Sequence, residues 1–331
     1  MNETPLQVSP LSVPGQQWHV GEPFPMAWEC RSPGIGFAAI EAWIGANREE
    51  FCDQAHRHGA VLFRGFPLTT ADDFDRFVAA FGFENFPYED SLSNAVRVNR
   101  TPRVFTANEA PPTVEIFLHH EMAQTPFYPS RLFFFCEQPA EQGGATPLCR
   151  SDLLWSRLVE RCPEFTRDCV EKGLNYSNVM PSSNDPNSGM GRSWQSTLRA
   201  TNREEAEQRL KSLAYHWEWL DDGCLRVTTP VLPAVYKLAP GRSSFFNQLI
   251  AAYCGWKDAR NDPAKSITFG DGTPLDGSAV RVAIALADEL TFDIPWKQGD
   301  VALVDNLVAM HGRRTFSGTR KVLASLACPN T

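Results

Sequence analysis

The chain has 331 residues, 43% of them apolar and 21% charged, the balance of a soluble globular protein with a sizeable core. Its net charge of −8 excludes a nucleic-acid binder, which needs clustered Lys and Arg, and no apolar run reaches the roughly 18–20 residues that span a bilayer. The opening MNETPLQVSP has neither the basic region nor the apolar segment of a secretory signal, so nine scattered cysteines without a CxxC pair read as reduced thiols of a cytoplasmic protein.

Residues 1–15, polar and Pro-rich, are expected to form a flexible tail, and 16–331 a single domain. Apolar spacing over 37–58 predicts a helix ended by Gly59, followed by a short buried strand over 60–66. Thr70 can cap the next helix, in which Phe74, Phe77, Val78 and Phe81 fall at i, i+3, i+4 and i+7. Those aromatics read as core and not as ligand contacts.

Phe117-Leu118 then leads, as an extended buried approach, into His119-His120-Glu121. Along an extended chain side chains at i and i+2 point the same way. His119 and Glu121 can therefore reach one point in space, and His120 is directed away from it. Alone, this motif is weak and is more readily read as polar residues on a loop. Arg131 to Cys136 predicts a central strand, Gly143-Gly144 a turn, and 151 to about 162 a helix. Residues 178–193, rich in Asn, Ser, Pro and Gly, predict a long loop and a candidate active-site lid. Asn202 opens a charged helix and 278–290 forms an amphipathic one, so 150–295 reads as a lid or insert. Strands over 301–304 and 321–326 close the chain. Strands at both ends with helices outside them predict an α+β protein, an antiparallel β core wrapped by helices.

The last third also holds Asp305-Asn306-(x4)-His311-Gly312-Arg313, with Arg320 opening the final strand. A His-x-carboxylate followed much later by a lone His is the ligand arithmetic of a non-haem iron oxygenase. Two neutral imidazoles and one carboxylate occupy one face of an Fe(II) octahedron and leave three positions open. A His beside Gly suits a close approach of chain to ligand. A guanidinium at Arg320 can hold the distal carboxylate of a dicarboxylic co-substrate in bidentate fashion; the alternative is an ordinary surface residue at a strand start.

Leu118-His-His-Glu-Met122, Gly143-Gly-Ala-Thr-Pro147, Phe245-Phe-Asn-Gln248, Gly270-Asp-Gly272 and the Asp305 to Arg313 segment, in that order, resemble the taurine dioxygenase/clavaminate synthase family. Within it they most resemble the branch containing the syringomycin aspartyl hydroxylase. The resemblance runs from about residue 35 to the C-terminus. It implies a double-stranded β-helix (jelly-roll) fold that uses Fe(II), 2-oxoglutarate and O2. By motif it implies His119, Glu121 and His311 as iron ligands. Thr146 and Arg320 would hold the far carboxylate of 2-oxoglutarate, with Lys321 as the alternative to Arg320. Asn247 would face co-substrate or substrate, or else be a buried structural amide. Trp194 would border the pocket. Arg313 and Arg314 would contact a substrate carboxylate or a carrier phosphopantetheine. A carboxylate at 121, where related halogenases carry Gly or Ala, implies hydroxylation, or desaturation or cyclisation after the same hydrogen abstraction. The expected substrate is an amino-acid-like small molecule of secondary metabolism, free or tethered to a carrier protein. In the tethered case Arg192, Arg242, Arg313 and Arg314 are the candidates for a basic docking patch.

Two other classes compete. A jelly-roll module that binds a metal or small acid without oxidising anything would have little reason to keep Thr146 and Arg320 beside a full ligand set. A zinc hydrolase could use the same three ligands but would leave Arg320 without a purpose. A hydrolase built on a nucleophile finds no G-x-S-x-G elbow.

Overall fold

A computed structural model describes residues 6–32 and 34–330. Two sheets face each other to form the roll. The larger runs in the order Val8–Pro10, Met26–Cys30, Ala60–Arg64, Val301–Asp305, Pro129–Gln138, Lys321–Pro329, Phe105–Thr106. The smaller runs Thr291–Ile294, Thr146–Arg150, Ala309–Arg313, Ile116–His119. All pairs are antiparallel except Met26–Cys30 with Ala60–Arg64, which are parallel. The fold is the α+β jelly roll that the sequence patterns and the resemblance imply.

Alternation along one central strand explains how the layers assemble. In Leu132 to Phe135 every side chain is buried, because the larger sheet is covered on both faces. Phe133 and Phe135 join Phe63, Phe74, Phe77 and Phe81 on the outer face, against the helices Phe37–Ala46, Arg48–His58 and Ala71–Ala79. Leu132 and Phe134 point inward, with Leu148, Phe292, Ala309 and Val322. The last of those helices begins at a capping box formed by Thr70 and Asp73.

Some boundaries differ from expectation. The helix expected over 37–58 is two helices with a break at Asn47, whose side chain donates to the Trp43 carbonyl and competes with the helical ladder. Within the expected tail, Val8–Pro10 is an edge strand paired with Met26–Cys30; residues 1–5 lie outside the described residues. Between Arg150 and Thr291 the chain leaves the roll. It builds a second four-stranded sheet, in the order His216–Trp219, Leu225–Thr228, Leu174–Met180, Ile267–Phe269, with helices around it. Residues 178–180 therefore end a strand, and the irregular segment starts at 181. Among the described residues no helix is long and apolar enough to cross a membrane.

Candidate metal centre and active site

The smaller sheet brings the two distant histidines together. His311 is registered directly opposite His119, with a bulge just beyond it, and their ring centroids lie 4.3 Å apart. Gly312 permits this approach: a Cβ there would stand 2.4 Å from the Ile116 carbonyl oxygen. His119, Glu121 and His311 each direct a ligand atom to one point, all within 4.8 Å of one another.

The surroundings prepare these groups to act as ligands. The Phe117 carbonyl accepts from His119 Nδ1 at 2.7 Å. That fixes the tautomer and leaves Nε2 as a bare lone pair, the second-shell arrangement of a metal-ligating imidazole. Burial, reinforced by neighbouring His311, lowers the His119 pKa to about 3, so the ring is neutral at neutral pH. Burial pushes the Glu121 carboxyl up, but the Arg97 guanidinium and His311 outweigh it and hold the acid well below the usual range. His311 Nδ1 is buried without a hydrogen-bond partner, and its Nε2 lies 3.5 Å from Glu121. The neutral His119 imidazole, the His311 imidazole and an ionised carboxylate fit an Fe(II) facial triad. His120 turns the other way, although the strand ends at His119 and Glu121 already opens a turn. It is buried, its Nδ1 donates to the Asn306 carbonyl, and its ring lies tilted against Phe246, centroids 4.8 Å apart.

The Asp305-Asn306 motif holds the segment that carries Glu121. Asn306 accepts from the Glu121 N–H at 2.8 Å and donates to its carbonyl at 3.0 Å. Asp305, fully buried, is paired with His56 and Arg131.

The triad opens on a cavity of about 350 Å³, also lined by Arg97, Gln124, Phe134, Thr146 and Arg320. Thr146 and Arg320 adjoin: the guanidinium donates to the Gly144 carbonyl at 2.8 Å and to the Thr146 hydroxyl at 3.3 Å, and Trp296 donates to the same hydroxyl at 3.0 Å. Gly144, at φ +70, leaves room for this, since a Cβ there would stand 3.0 Å from Arg320 Cδ. Burial, together with nearby Arg313, pushes the Arg320 pKa down to about 10. Among the described residues Arg320 has no acidic partner. A desolvated cation held only by neutral acceptors can seat an anion. Lys321, the alternative, is exposed and lies outside the cavity lining.

Other candidates land elsewhere. Asn247 is a buried bracket between the Ala234 carbonyl and the Leu249 N–H, and its neighbour Gln248 lines the cavity instead. Trp194 packs against Trp219 and donates to the Gly223 carbonyl, away from the cavity. Arg313 reaches the cavity wall, but its two terminal nitrogens are spent on the carbonyls of Asn108, Ala110, Pro111 and Val114. Arg314 is paired with Glu115 and Asp293, Arg242 with Asp152, and Arg192 with Ser91 and Ser196. These four form no open basic patch. The residue that sequence reasoning missed is Arg97, isolated in a polar stretch and bound to Glu121 only through the fold. The 181–193 segment does reach the cavity, which Ser188 and Met190 line, and Ser188 is tied to Asp258 at 2.8 Å.

Comparison with known proteins agrees with this geometry. The family model for taurine catabolism dioxygenase TauD, TfdA family, matches residues 21–326, and the chain belongs to that family. It is 41% identical over 320 residues to a clavaminate synthase-like protein of Arabidopsis thaliana, covering 95% of this chain and 96% of the other. It is 28% identical over 286 residues to the dapdiamide synthesis protein DdaC of Enterobacter agglomerans, covering 82% of each. The fold is shared with PvcB of Pseudomonas aeruginosa at a TM-score of 0.52 and 14% identity, covering 99% of this chain and 92% of that one; PvcB is an Fe, alpha-ketoglutarate dependent oxygenase from an isonitrile synthetic pathway. The protein is an Fe(II)- and 2-oxoglutarate-dependent dioxygenase.

Proposed function

We propose that this dioxygenase hydroxylates an unactivated C–H bond of a free, amino-acid-like small molecule. His119, Glu121 and His311 would hold the iron, and Thr146 and Arg320 the distal carboxylate of 2-oxoglutarate. The observation that carries the assignment is that the triad and Arg320, a cation with no acidic partner among the described residues, face one cavity. A zinc hydrolase would have no use for that second feature, and a module that binds a metal or small acid without oxidising it would have little reason to keep both features together.

When bound, Fe(II) chelated by 2-oxoglutarate supplies O2 activation, with succinate and CO2 as co-products. The chain's own residues do the rest. His119 offers Nε2 because its other nitrogen is occupied by Phe117. Glu121 fills the position that a halide would need, which favours hydroxylation. Phe117, Phe134, Met190 and Trp256 give the cavity an apolar wall that limits water. On the polar wall Gln124 presents a buried carbonyl oxygen without a partner, suited to an ammonium or hydroxyl donor. Arg97, whose Nε–H is buried without a partner, lines the same wall. These opposed polarities support an amino-acid-like substrate. DdaC, named for dapdiamide synthesis, supports the same class. Internal use of Arg192, Arg242, Arg313 and Arg314 favours a free substrate over a carrier-bound one.

The test is anaerobic titration of metal-free protein with Fe(II) and 2-oxoglutarate, followed by the weak visible charge-transfer band of the chelate. The band is expected in the wild type and absent from His119→Ala and His311→Ala. Succinate release is then compared across free amino acids and the same acids on a carrier. A folded, metal-loaded wild type without the band would sink the residue assignment. Turnover of carrier-bound acids alone would overturn the free-substrate reading.

A further inference from the structure

The cavity wall holds one ion pair that a three-ligand centre does not require. Arg97 Nη2 lies 3.1 Å and 3.0 Å from the two carboxylate oxygens of Glu121, and the two side chains are only 7% and 4% exposed. We propose that Arg97 is a positioning residue that restricts Glu121 to coordination through a single oxygen, an inference that rests on the iron assignment above.

A carboxylate free to turn about its last torsion can offer a cation one oxygen or both. Three open positions are needed on the metal, two of them for the 2-oxoglutarate chelate. Chelation by both oxygens of Glu121 would consume one. In this protein Glu121 has lost that freedom at each end. The Asn306 side chain holds its backbone N–H and C=O, and Arg97 holds its carboxylate. The guanidinium is immobilised in turn, 4.8 Å from the centre of the Tyr88 ring and 5.3 Å from that of Phe105. The Tyr88 hydroxyl is anchored on the Ala95 carbonyl. The oxygen nearer His311 Nε2, at 3.5 Å, is also 3.0 Å from Arg97 Nη2, so the guanidinium spans both oxygens, where a cation chelated by both would sit, and leaves the metal the outer side of one. A lone pair shared with an N–H is a poorer metal ligand, and the guanidinium charge repels a cation from that side.

The same charge makes the proposal separable from a packing role. A guanidinium that merely supports the fold would help metal and co-substrate alike. One that keeps a coordination position open works against metal affinity and for co-substrate affinity. Arg97→Met is therefore expected to bind Fe(II) at least as tightly as the wild type. Its iron-loaded form should bind 2-oxoglutarate roughly tenfold or more weakly, within the range seen for groups that orient metal ligands, with a shifted and weakened charge-transfer band. Arg97→Lys keeps one N–H donor and is expected to restore much of the band and the affinity. Circular dichroism and thermal melts establish that both variants fold. A folded Arg97→Met with an unshifted band and unchanged 2-oxoglutarate affinity overturns the proposal. So does a variant that loses Fe(II) affinity while its loaded form binds 2-oxoglutarate normally, because Arg97 would then only assemble the metal-free site. A wild type without any band overturns the iron assignment and this inference together, whereas a wild-type band untouched in Arg97→Met overturns this inference alone.

Discussion

Arg320 is a buried cation whose hydrogen bonds go to a carbonyl and a hydroxyl, and such a group is costly to keep unless an anion visits it. Charge-assisted hydrogen bonds contribute roughly 1.5–3 kcal/mol, so Arg320→Leu is expected to raise the KM for 2-oxoglutarate by about 10- to 150-fold. Affinity for Fe(II) alone should hardly change. Arg320→Lys should fall between, because an ammonium cannot reproduce the planar fork. The depressed pKa adds a signature. Arg320 is charged below about 10, so 2-oxoglutarate affinity should be level through pH 8 and decline as pH rises through that value. The decline should vanish in Arg320→Leu. Steady-state kinetics across pH 7–10.5 would show it; a KM unmoved by Arg320→Leu would remove the anion seat from the assignment.

A pairing of two strands converts a dispersed sequence signal into a site. The His119 strand and the His311 strand meet in register because Gly312 lets the Ile116 carbonyl come close. Gly312→Ala should force the strands apart at the bulge and weaken Fe(II) binding roughly 10- to 100-fold, with little loss of global secondary structure. A variant that binds metal as tightly as the wild type would show that the bulge tolerates the methyl group. The same logic separates what sequence could reveal from what it could not. His119, Glu121 and His311 carry a chemical identity and motif spacing, so they were legible, although Glu121 lies in a turn past the end of the strand rather than on it. Phe133 and Phe135 on one face and Phe134 on the other follow from the period of a strand. Trp194 and Asn247 lie beside family-like motifs, but adjacency in sequence does not set the direction of a side chain, and both turn into local packing. Arg97 follows no period, and its partner is 24 residues away. The clamp of Arg313 on the 108–114 loop spans about 200 residues. Such pairings exist only once the roll has closed.

Across the whole molecule, the price of a preformed metal site is paid in acid. His119, half-buried, and His120, fully buried, keep pKa values of about 3 in the folded protein, whereas in the unfolded chain an imidazole takes its proton near 6.5. Between those values the unfolded state binds more protons, so stability is full above about 6.5 and is lost as pH falls. Each ring can withdraw up to ~1.4 kcal/mol per pH unit, and the pair together roughly 3 kcal/mol between pH 6.5 and 5, a large share of the net ~5–15 kcal/mol that holds a domain folded. His58, whose pKa burial also lowers, acts in the same direction. Urea unfolding of chelator-treated protein at pH 7, 6 and 5 should therefore show a midpoint that falls steeply below pH 6.5. His120→Gln removes one titrating ring while leaving the three metal-directed groups in place, and should make that dependence shallower by about one proton's worth. An unchanged slope in the variant would mean that the buried imidazoles are not what acid attacks. A shallower slope would place the acid sensitivity of the fold in the strand that carries the candidate metal centre.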